Sequence, residues 1–336
     1  MRKLTPWFFA ALAAVALAAG PAQALERYRF ASGPAGGSWN STVGAAAQFL
    51  NSKIGAKYYF DALTTQGSVE NVRRVVSGQA HTSWAHVVQL HEQWTGTGSY
   101  KRDGVKQNFR IIGNVVVQAQ NIAVLKSSPI QSFDDMKGKR VNLLARGSGS
   151  YVICHNIFKA LGLLDKIEPR YLDFAAAANA LGDGQVDVYC SAGTPHSVPA
   201  IAQLSVLKPV RFVSMSEAEQ KKISAQFPFL TPYTIPPIPK EVVGLDAPTR
   251  TISYDVWWIA GEKISDSAIY EMLKVIADKK NLAQLSQAAG FWRQLSGNFQ
   301  AVKQLKMWVH PAAARYWREQ GAQVPAEIVK GFSPKN

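Results

Sequence analysis

Short apolar runs of the β type alternate with helical stretches along the first two thirds of this chain. The β-type runs are Tyr28 to Ala31, Lys57 to Ala62, Phe109 to Val117, Asn121 to Leu125, Arg140 to Leu143 and Gln185 to Cys190. The helical stretches between them are Trp39 to Asn51, Ser68 to Ser77, Tyr151 to Leu161 and Phe174 to Leu181. Such alternation predicts an α/β sheet with right-handed crossovers.

The C-terminal third has a different pattern and is mostly helical. The proline-rich stretch Pro228 to Pro239 is predicted to be a loop, and the apolar run Thr251 to Ala260 is predicted to be a strand. Helices are predicted over Asp266 to Lys279, Asn281 to Ala289 and Pro311 to Gln320.

Two long strand-like segments, Val116 to Leu125 and Thr251 to Ala260, are suited to crossing between two lobes. The second lobe would then be an insertion, and the first lobe would be discontinuous in sequence. We therefore expect two lobes, each a sheet flanked by helices, with a ligand cleft between them. The expected boundaries are residues 25–118 and 255–336 for lobe I and residues 119–254 for lobe II.

The first residues have the three parts of a secretory signal peptide. Arg2 and Lys3 precede the apolar run Trp7 to Ala19, and the small residues Ala22 to Ala24 form an A-x-A cleavage site. An uncleaved anchor would need about 20 continuous apolar residues. We expect residues 1–24 to be removed and the mature protein to be free in the periplasm, without stable membrane insertion.

Composition narrows the class of protein. With 336 residues, 47% of them hydrophobic and 18% charged, the chain is long and apolar enough for two globular domains. The formal net charge is +14, but the charge is scattered, and the densest run is only Lys137 to Arg140. We expect a monomer that does not bind nucleic acid.

The chain has two cysteines, Cys154 and Cys190. In an exported protein they could form a disulfide, which would close a loop of 37 residues from one cysteine to the other. The alternative is that both are small buried hydrophobic residues. Nothing in the sequence decides between these two interpretations.

Signatures of catalysis and metal binding are incomplete. The glycines and serines from Gly147 to Ser150 do not have the spacing of a G-x-S-x-G nucleophile elbow. His91 and Glu92 begin a zinc motif, but position 95 is Thr instead of His. We expect no catalytic residues, metal or cofactor. A hydrolase acting on a small acid or ester stays an alternative, because catalytic groups need not be close in sequence.

Glycine and small polar residues recur at four predicted helix starts. The four turns are Gly36 to Trp39, Thr65 to Ser68, Gly147 to Ser150 and Ala192 to Pro195. Each turn follows a predicted strand, so the free backbone N–H groups and hydroxyls could hold an anion. One such turn would be ordinary helix capping. Four at the carboxyl ends of strands predict a shared cleft.

Five segments in order resemble one known family. They are GPAGGSW (Gly33 to Trp39), TTQGSVENVRRVVSGQAH (Thr64 to His81), FDDMKGKRVNLLARGSGS (Phe133 to Ser150), GDGQVDVYCSAGTP (Gly182 to Pro195) and HPAAARYWREQG (His310 to Gly321). Together they resemble the TAXI-type solute receptors of tripartite ATP-independent periplasmic (TRAP) transporters, over roughly Arg27 to Gly321. Where that family usually has two tyrosines and a proline, this chain has Ser38, Trp39 and Asn40.

The resemblance implies a type II periplasmic-binding-protein fold that closes around glutamate, glutamine or another organic acid. It also implies delivery of that solute to the membrane permease subunits of a TRAP transporter. An alternative is the binding protein of an ABC importer. Carried onto this chain, the ligand-binding residues would be Gly37, Ser38, Trp39, Thr65, Gly67, Ser68, Asn71, Ser148, Gly149, Ser150, Gly193 and Thr194.

Three further side chains are candidates from their chemistry. Arg146 could form a bidentate pair with a carboxylate, although a solvated surface arginine is an equal alternative. Trp84 could line the pocket, or it could be a core aromatic at a strand end. His86 could donate a hydrogen bond into the cleft.

Overall fold

The computed structural model describes residues 24–35, 37–193, 198–288 and 290–332. The predicted signal peptide, apart from Ala24, lies outside these residues, so its cleavage stays a prediction. No helix in the described ranges combines the length and the apolar character that a membrane crossing requires.

Ten strands form one continuous sheet in the order β2-β1-β3-β10-β4-β7-β5-β6, with β8 paired to β4 and β9 paired to β10. The strands are β1 (Glu26–Ala31), β2 (Tyr58–Leu63), β3 (Thr82–His86), β4 (Phe109–Leu125), β5 (Arg140–Asn142), β6 (Glu168–Arg170), β7 (Val188–Gly193), β8 (Val210–Phe212), β9 (Thr231–Ile235) and β10 (Thr249–Gly261).

Helices pack against this sheet. The α-helices are α1 (Ser38–Ile54), α2 (Ser68–Val76), α3 (Val87–Thr95), α4 (Gly149–Leu161), α5 (Phe174–Gly182), α6 (Pro199–Leu207), α7 (Glu217–Gln226), α8 (Asp266–Ile276), α9 (Lys279–Ala288), α10 (Gln300–Gln304) and α11 (Pro311–Glu319). Short 3-10 helices are Gly98–Tyr100, Asp134–Met136, Leu164–Lys166, Gly290–Gln294 and Ala326–Ile328.

Two long antiparallel strands, β4 and β10, join the two halves of the sheet. Strands β1, β2 and β3 are parallel on one side of them, and β5, β6 and β7 are parallel on the other. The fold is therefore the expected two-lobed α/β architecture. The predicted lobe boundaries, after residues 118 and 254, fall inside β4 and β10.

Strand β4 is continuous, whereas the sequence pattern predicts two strands separated at residues 118–120. The longer strand-like segment Val116 to Leu125 spans this gap in agreement with the structure, and the two glutamines in the gap are buried and bonded. The Gln118 side chain bonds to His86, and Gln120 contacts the two cysteine sulfurs. Polar residues in a buried strand are tolerated when they find hydrogen-bond partners.

Strand β3 is absent from the sequence prediction because three of its five residues are polar. All five are buried. The Thr82 hydroxyl donates to the carbonyl oxygen of Ile259 (2.7 Å) and accepts from the indole N–H of Trp258 (2.8 Å). These long-range partners make a polar residue acceptable in the middle of the sheet, and a local pattern cannot show them.

Strand β9 lies within Pro228 to Pro239, the stretch predicted to be a loop. It pairs antiparallel with β10, with Pro232 opposite Ile252. The prediction is wrong here because β9 is an edge strand with β10 as its ladder partner, so a proline can be accommodated without losing a central hydrogen bond.

The structure joins Cys154 and Cys190 in a disulfide, with their Cα atoms 6.1 Å apart. Both residues are fully buried. The Gln120 amide nitrogen lies 3.1 Å from one sulfur and 3.2 Å from the other. The bond fastens α4 to the central strand β7.

Candidate functional site

A cavity of about 180 Å³ lies between the two halves of the molecule. This volume is well above what one water needs, so the cavity suits a small solute. Its lining consists of Pro34, Gly37, Ser38, Trp39, Gln66, Gly67, Ser68, His86, Gln118, Ser148, Gly149, Ser150, Phe174, Ala175, Ala192, Val198, Pro199, Ala200 and Gln203.

Six of the described helices, α1 to α6, begin at the wall of this cavity. The first N–H groups of a helix have no partner within the helix, and the helix dipole places positive potential there. No side chain caps α1 at Gly37 or α2 at Gly67. Gly67 has a φ of 102°, which favours glycine. These starts therefore present backbone donors to a ligand.

Helix α4 contributes a capped start from the other half of the molecule. The Ser148 hydroxyl accepts a hydrogen bond from the backbone N–H of Tyr151 (3.1 Å) and donates to the carbonyl oxygen of Ala145 (2.8 Å). Ser148 and Ser150 are each less than one tenth exposed. The Ser148 side chain thus stands on the cavity wall in a fixed orientation.

Trp39 and His86 form an aromatic corner of the cavity. Their ring centroids are 5.0 Å apart, edge to face. The His86 Nε2 donates to the Gln118 amide oxygen (2.9 Å), while the Nδ1 atom has no hydrogen-bond partner of good geometry. Burial lowers the pKa of His86 to about 4, against the opposing effect of the Gln118 and Gln89 side chains. The ring is therefore neutral at physiological pH.

Gly149 brings the two halves into contact across the cleft. A Cβ atom at this position would lie 2.6 Å from the Nδ1 of His86 and 2.7 Å from the Cβ of Ser68. Such distances are shorter than van der Waals contact, so any residue other than glycine would push the halves apart. In this structure the two halves therefore touch at Gly149.

Nine of the predicted site residues line the cavity: Gly37, Ser38, Trp39, Gly67, Ser68, His86, Ser148, Gly149 and Ser150. Thr65 and Asn71 do not line it and instead hold the turn before α2. The Thr65 hydroxyl donates to the Asn71 carboxamide oxygen (2.6 Å). The Asn71 amide nitrogen donates to the carbonyl oxygens of Ser32 (2.8 Å) and Trp84 (2.9 Å).

The remaining predicted residues are not in the lining. Trp84 is fully buried behind Trp39 and packs edge-on against Trp292 at 4.8 Å. The Arg146 guanidinium stacks over the Tyr171 ring at 4.1 Å. Gly193 ends β7 beside the lining residue Ala192. Thr194 lies outside the described residues.

Sequence reasoning missed the wall formed by the starts of α5 and α6. Phe174 follows Asp173, whose carboxylate caps α5 by accepting from the Ala176 N–H (2.9 Å). Pro199 is the first residue of α6. An Asp before an apolar run and a Pro at the first helical position are both helix-start signals, but neither shows that the helix points into the cleft.

This chain is similar to solved structures. A binding protein component of an ABC phosphonate transporter from Pseudomonas aeruginosa is 13% identical, with 91% of this chain and 92% of that chain covered and a TM-score of 0.53. The periplasmic aliphatic sulphonate binding protein SsuA from Escherichia coli is 14% identical, with 91% and 96% covered and a TM-score of 0.48. At these identities the likeness concerns the fold alone.

The sequence itself matches a family model over nearly all of the described region. The match runs from residue 30 to residue 321 and so includes every lining residue of the cavity. The chain belongs to the NMT1-like family.

Proposed function

We propose that this protein is an exported, non-enzymatic solute receptor that binds a small organic anion in the cleft and delivers it to a membrane permease. The observation that carries this proposal is the set of helix starts around a small cavity between the two halves. Backbone N–H donors and hydroxyls that face an anion form charge-assisted hydrogen bonds, about twice as strong as neutral ones.

Opening and closing would take place at the two long strands. We propose that residues 25–118 and 255–336 move as one lobe and residues 119–254 as the other, with bending in β4 and β10. Contact across the cleft is made where Gly149 meets Ser68 and His86. A solute that bridges the helix starts of both lobes would favour this closed form, because it gains those contacts only there.

The alternative of an exported hydrolase has less support. A serine near a histidine does occur, since Ser68 and His86 are both on the wall. However, the Ser68 hydroxyl accepts from the His86 backbone N–H (3.0 Å), and the ring is bonded to Gln118 instead of a carboxylate. A triad needs an acid to orient the ring. Incubation of candidate acids and esters with the protein should therefore leave their masses unchanged.

The resemblance of the five sequence segments favours a TRAP-type permease as the partner. The structural likeness to the phosphonate-transporter component favours an ABC importer as the second candidate. Uptake of the bound solute into vesicles that contain the cognate permease would discriminate between them. Uptake without ATP supports the TRAP partner, whereas strict dependence on ATP hydrolysis contradicts it.

Native mass spectrometry of the mature protein, purified without denaturation, tests the receptor function directly. We expect one small organic anion per chain, released on denaturation. Replacement of Ser68 by leucine should abolish that binding, because the longer side chain fills the cavity. The matched control is Ser216→Leu, since Ser216 caps α7, which begins away from the cleft. Equal binding by Ser68→Leu and the control would refute the site.

A further inference from the structure

The cavity lining is polar in one part and apolar in another, and it contains no ionised side chain among the described residues. The chain has 23 Asp and Glu residues, and every one of them lies within the described ranges. The two acidic residues nearest in sequence to lining residues already form hydrogen bonds within the protein. Glu70 bonds to Arg74 and to the Gln66 N–H, and Asp173 caps α5. No carboxylate therefore stands on the wall.

A ligand with an ammonium group would find no counter-ion in this cavity. The helix starts present N–H donors and positive potential, both of which disfavour a cation. The unpartnered Nδ1 of His86 is fully buried and belongs to a neutral ring. It can accept one hydrogen bond from a neutral donor, but it cannot balance a positive charge. An ammonium group enclosed there would be a buried charge without a partner.

Part of the cavity wall, at the starts of α5 and α6, is apolar. It consists of Phe174, Ala175, Val198, Pro199 and Ala200. Pro199 has no N–H to offer, and the Asp173 carboxylate that caps α5 adds a negative charge at that helix start, whereas the Ser148 cap of α4 is neutral. No Lys or Arg is among the lining residues that the structure describes. A second carboxylate at this part of the wall would meet apolar side chains and no cationic side chain among the described residues.

We infer that the solute is a small monocarboxylate with an apolar body and no ammonium group. Its carboxylate lies at the starts of α1, α2 and α4, and its apolar body packs between Trp39 and Phe174. This inference rests on the proposed receptor function and narrows its ligand class. It separates simple organic acids from the amino acids and dicarboxylates of the same carbon skeleton.

Isothermal titration calorimetry on the mature chain, freed of solute by denaturation and refolding, tests this inference. The probes are pentanoate, L-norvaline and glutarate, which share a five-carbon skeleton, and the branched pair 4-methylpentanoate and L-leucine. We expect a monocarboxylate to bind, with the matching amino acid weaker on the order of 100-fold because its ammonium group is buried unpaired. Glutarate should also be weaker than pentanoate.

Different results overturn different statements. Binding of L-norvaline or glutarate as tight as that of pentanoate would overturn the inference and leave the receptor function in place, as would a copurified amino acid. If no monocarboxylate binds while another solute copurifies, the inference is again wrong and the receptor stands. If the protein neither copurifies with a solute nor binds any probe, the proposed function itself fails.

Discussion

Replacement of Gly149 by alanine should weaken solute binding without harming the fold. The added Cβ would lie 2.6 Å from the Nδ1 of His86, 2.7 Å from the Cβ of Ser68 and 2.9 Å from its hydroxyl oxygen. These contacts exist only when the cleft is closed. The backbone of Gly149 has no positive φ, so alanine can adopt it without strain.

The magnitude follows from the cost of overpacking, which is about 1–3 kcal/mol for one added carbon in a tight site. Because only the closed form pays this cost, solute affinity should fall by about 5-fold to 150-fold. Gly149 is the first residue of α4, outside the helix interior where alanine is favoured over glycine by about 0.5–1 kcal/mol, so thermal stability without solute should be nearly unchanged.

Titration calorimetry with the copurified solute measures the affinity, and calorimetric melting measures the stability. The matched control is Gly44→Ala in α1, where an added Cβ meets nothing within 4 Å. That variant should gain helix stability and keep its affinity. An unchanged dissociation constant for Gly149→Ala would refute the argument that Gly149 sets the approach of the two halves.

Three further predictions concern stability and capping. Because the pKa of His86 is about 4 in the folded protein and about 6.5 in an unfolded chain, the unfolded state binds more protons below pH 6.5. The free energy of unfolding should therefore fall from pH 6.5 toward pH 4. In urea melts, this fall should be smaller for His86→Gln than for the unsubstituted protein, by up to about 3 kcal/mol. An equal fall in both proteins would contradict the low pKa of His86. Replacing Cys154 and Cys190 by alanine should lower the free energy of unfolding by about 3–4 kcal/mol, because the unfolded chain regains the entropy of the open loop. Urea melts without reductant measure this change. An unchanged midpoint would contradict a disulfide that stabilises the fold. Ser148→Ala and Ser216→Ala each remove one helix cap and should each lower the free energy of unfolding by about 1 kcal/mol. Only Ser148→Ala should weaken solute binding in titration calorimetry. Equal solute affinities of the two variants would show that Ser148 is not part of the site.

Local features of the sequence predicted the general fold and much of the site. The alternation of strand and helix patterns is a property of neighbouring residues, and so are the helix-start turns that include Gly37, Gly67 and Ser148. These turns lie at the cavity because parallel strands end at a common edge of a sheet. The nature of the turns and their position after strands were therefore readable from the chain.

Tertiary packing decided which side chains reach the cavity. Trp39 at the start of α1 and Trp84 in the middle of β3 are both buried tryptophans, yet only Trp39 lines the cavity, and Trp84 is enclosed in the core by Trp292. Arg146 stands beside a predicted anion-binding turn, yet it stacks on Tyr171. Each outcome depends on partners far along the chain, which a local pattern does not contain.

The same limit explains the strands and the chemical character of the cleft. Strand β3 is stabilised by bonds from Thr82 to residues more than 170 positions away. The apolar wall at Phe174 and the absence of carboxylates from the described lining result from how the two halves of the molecule pack against each other. The sequence by itself determined the elements and the helix-start chemistry, whereas the three-dimensional contacts between lobes determined the shape and charge of the cavity.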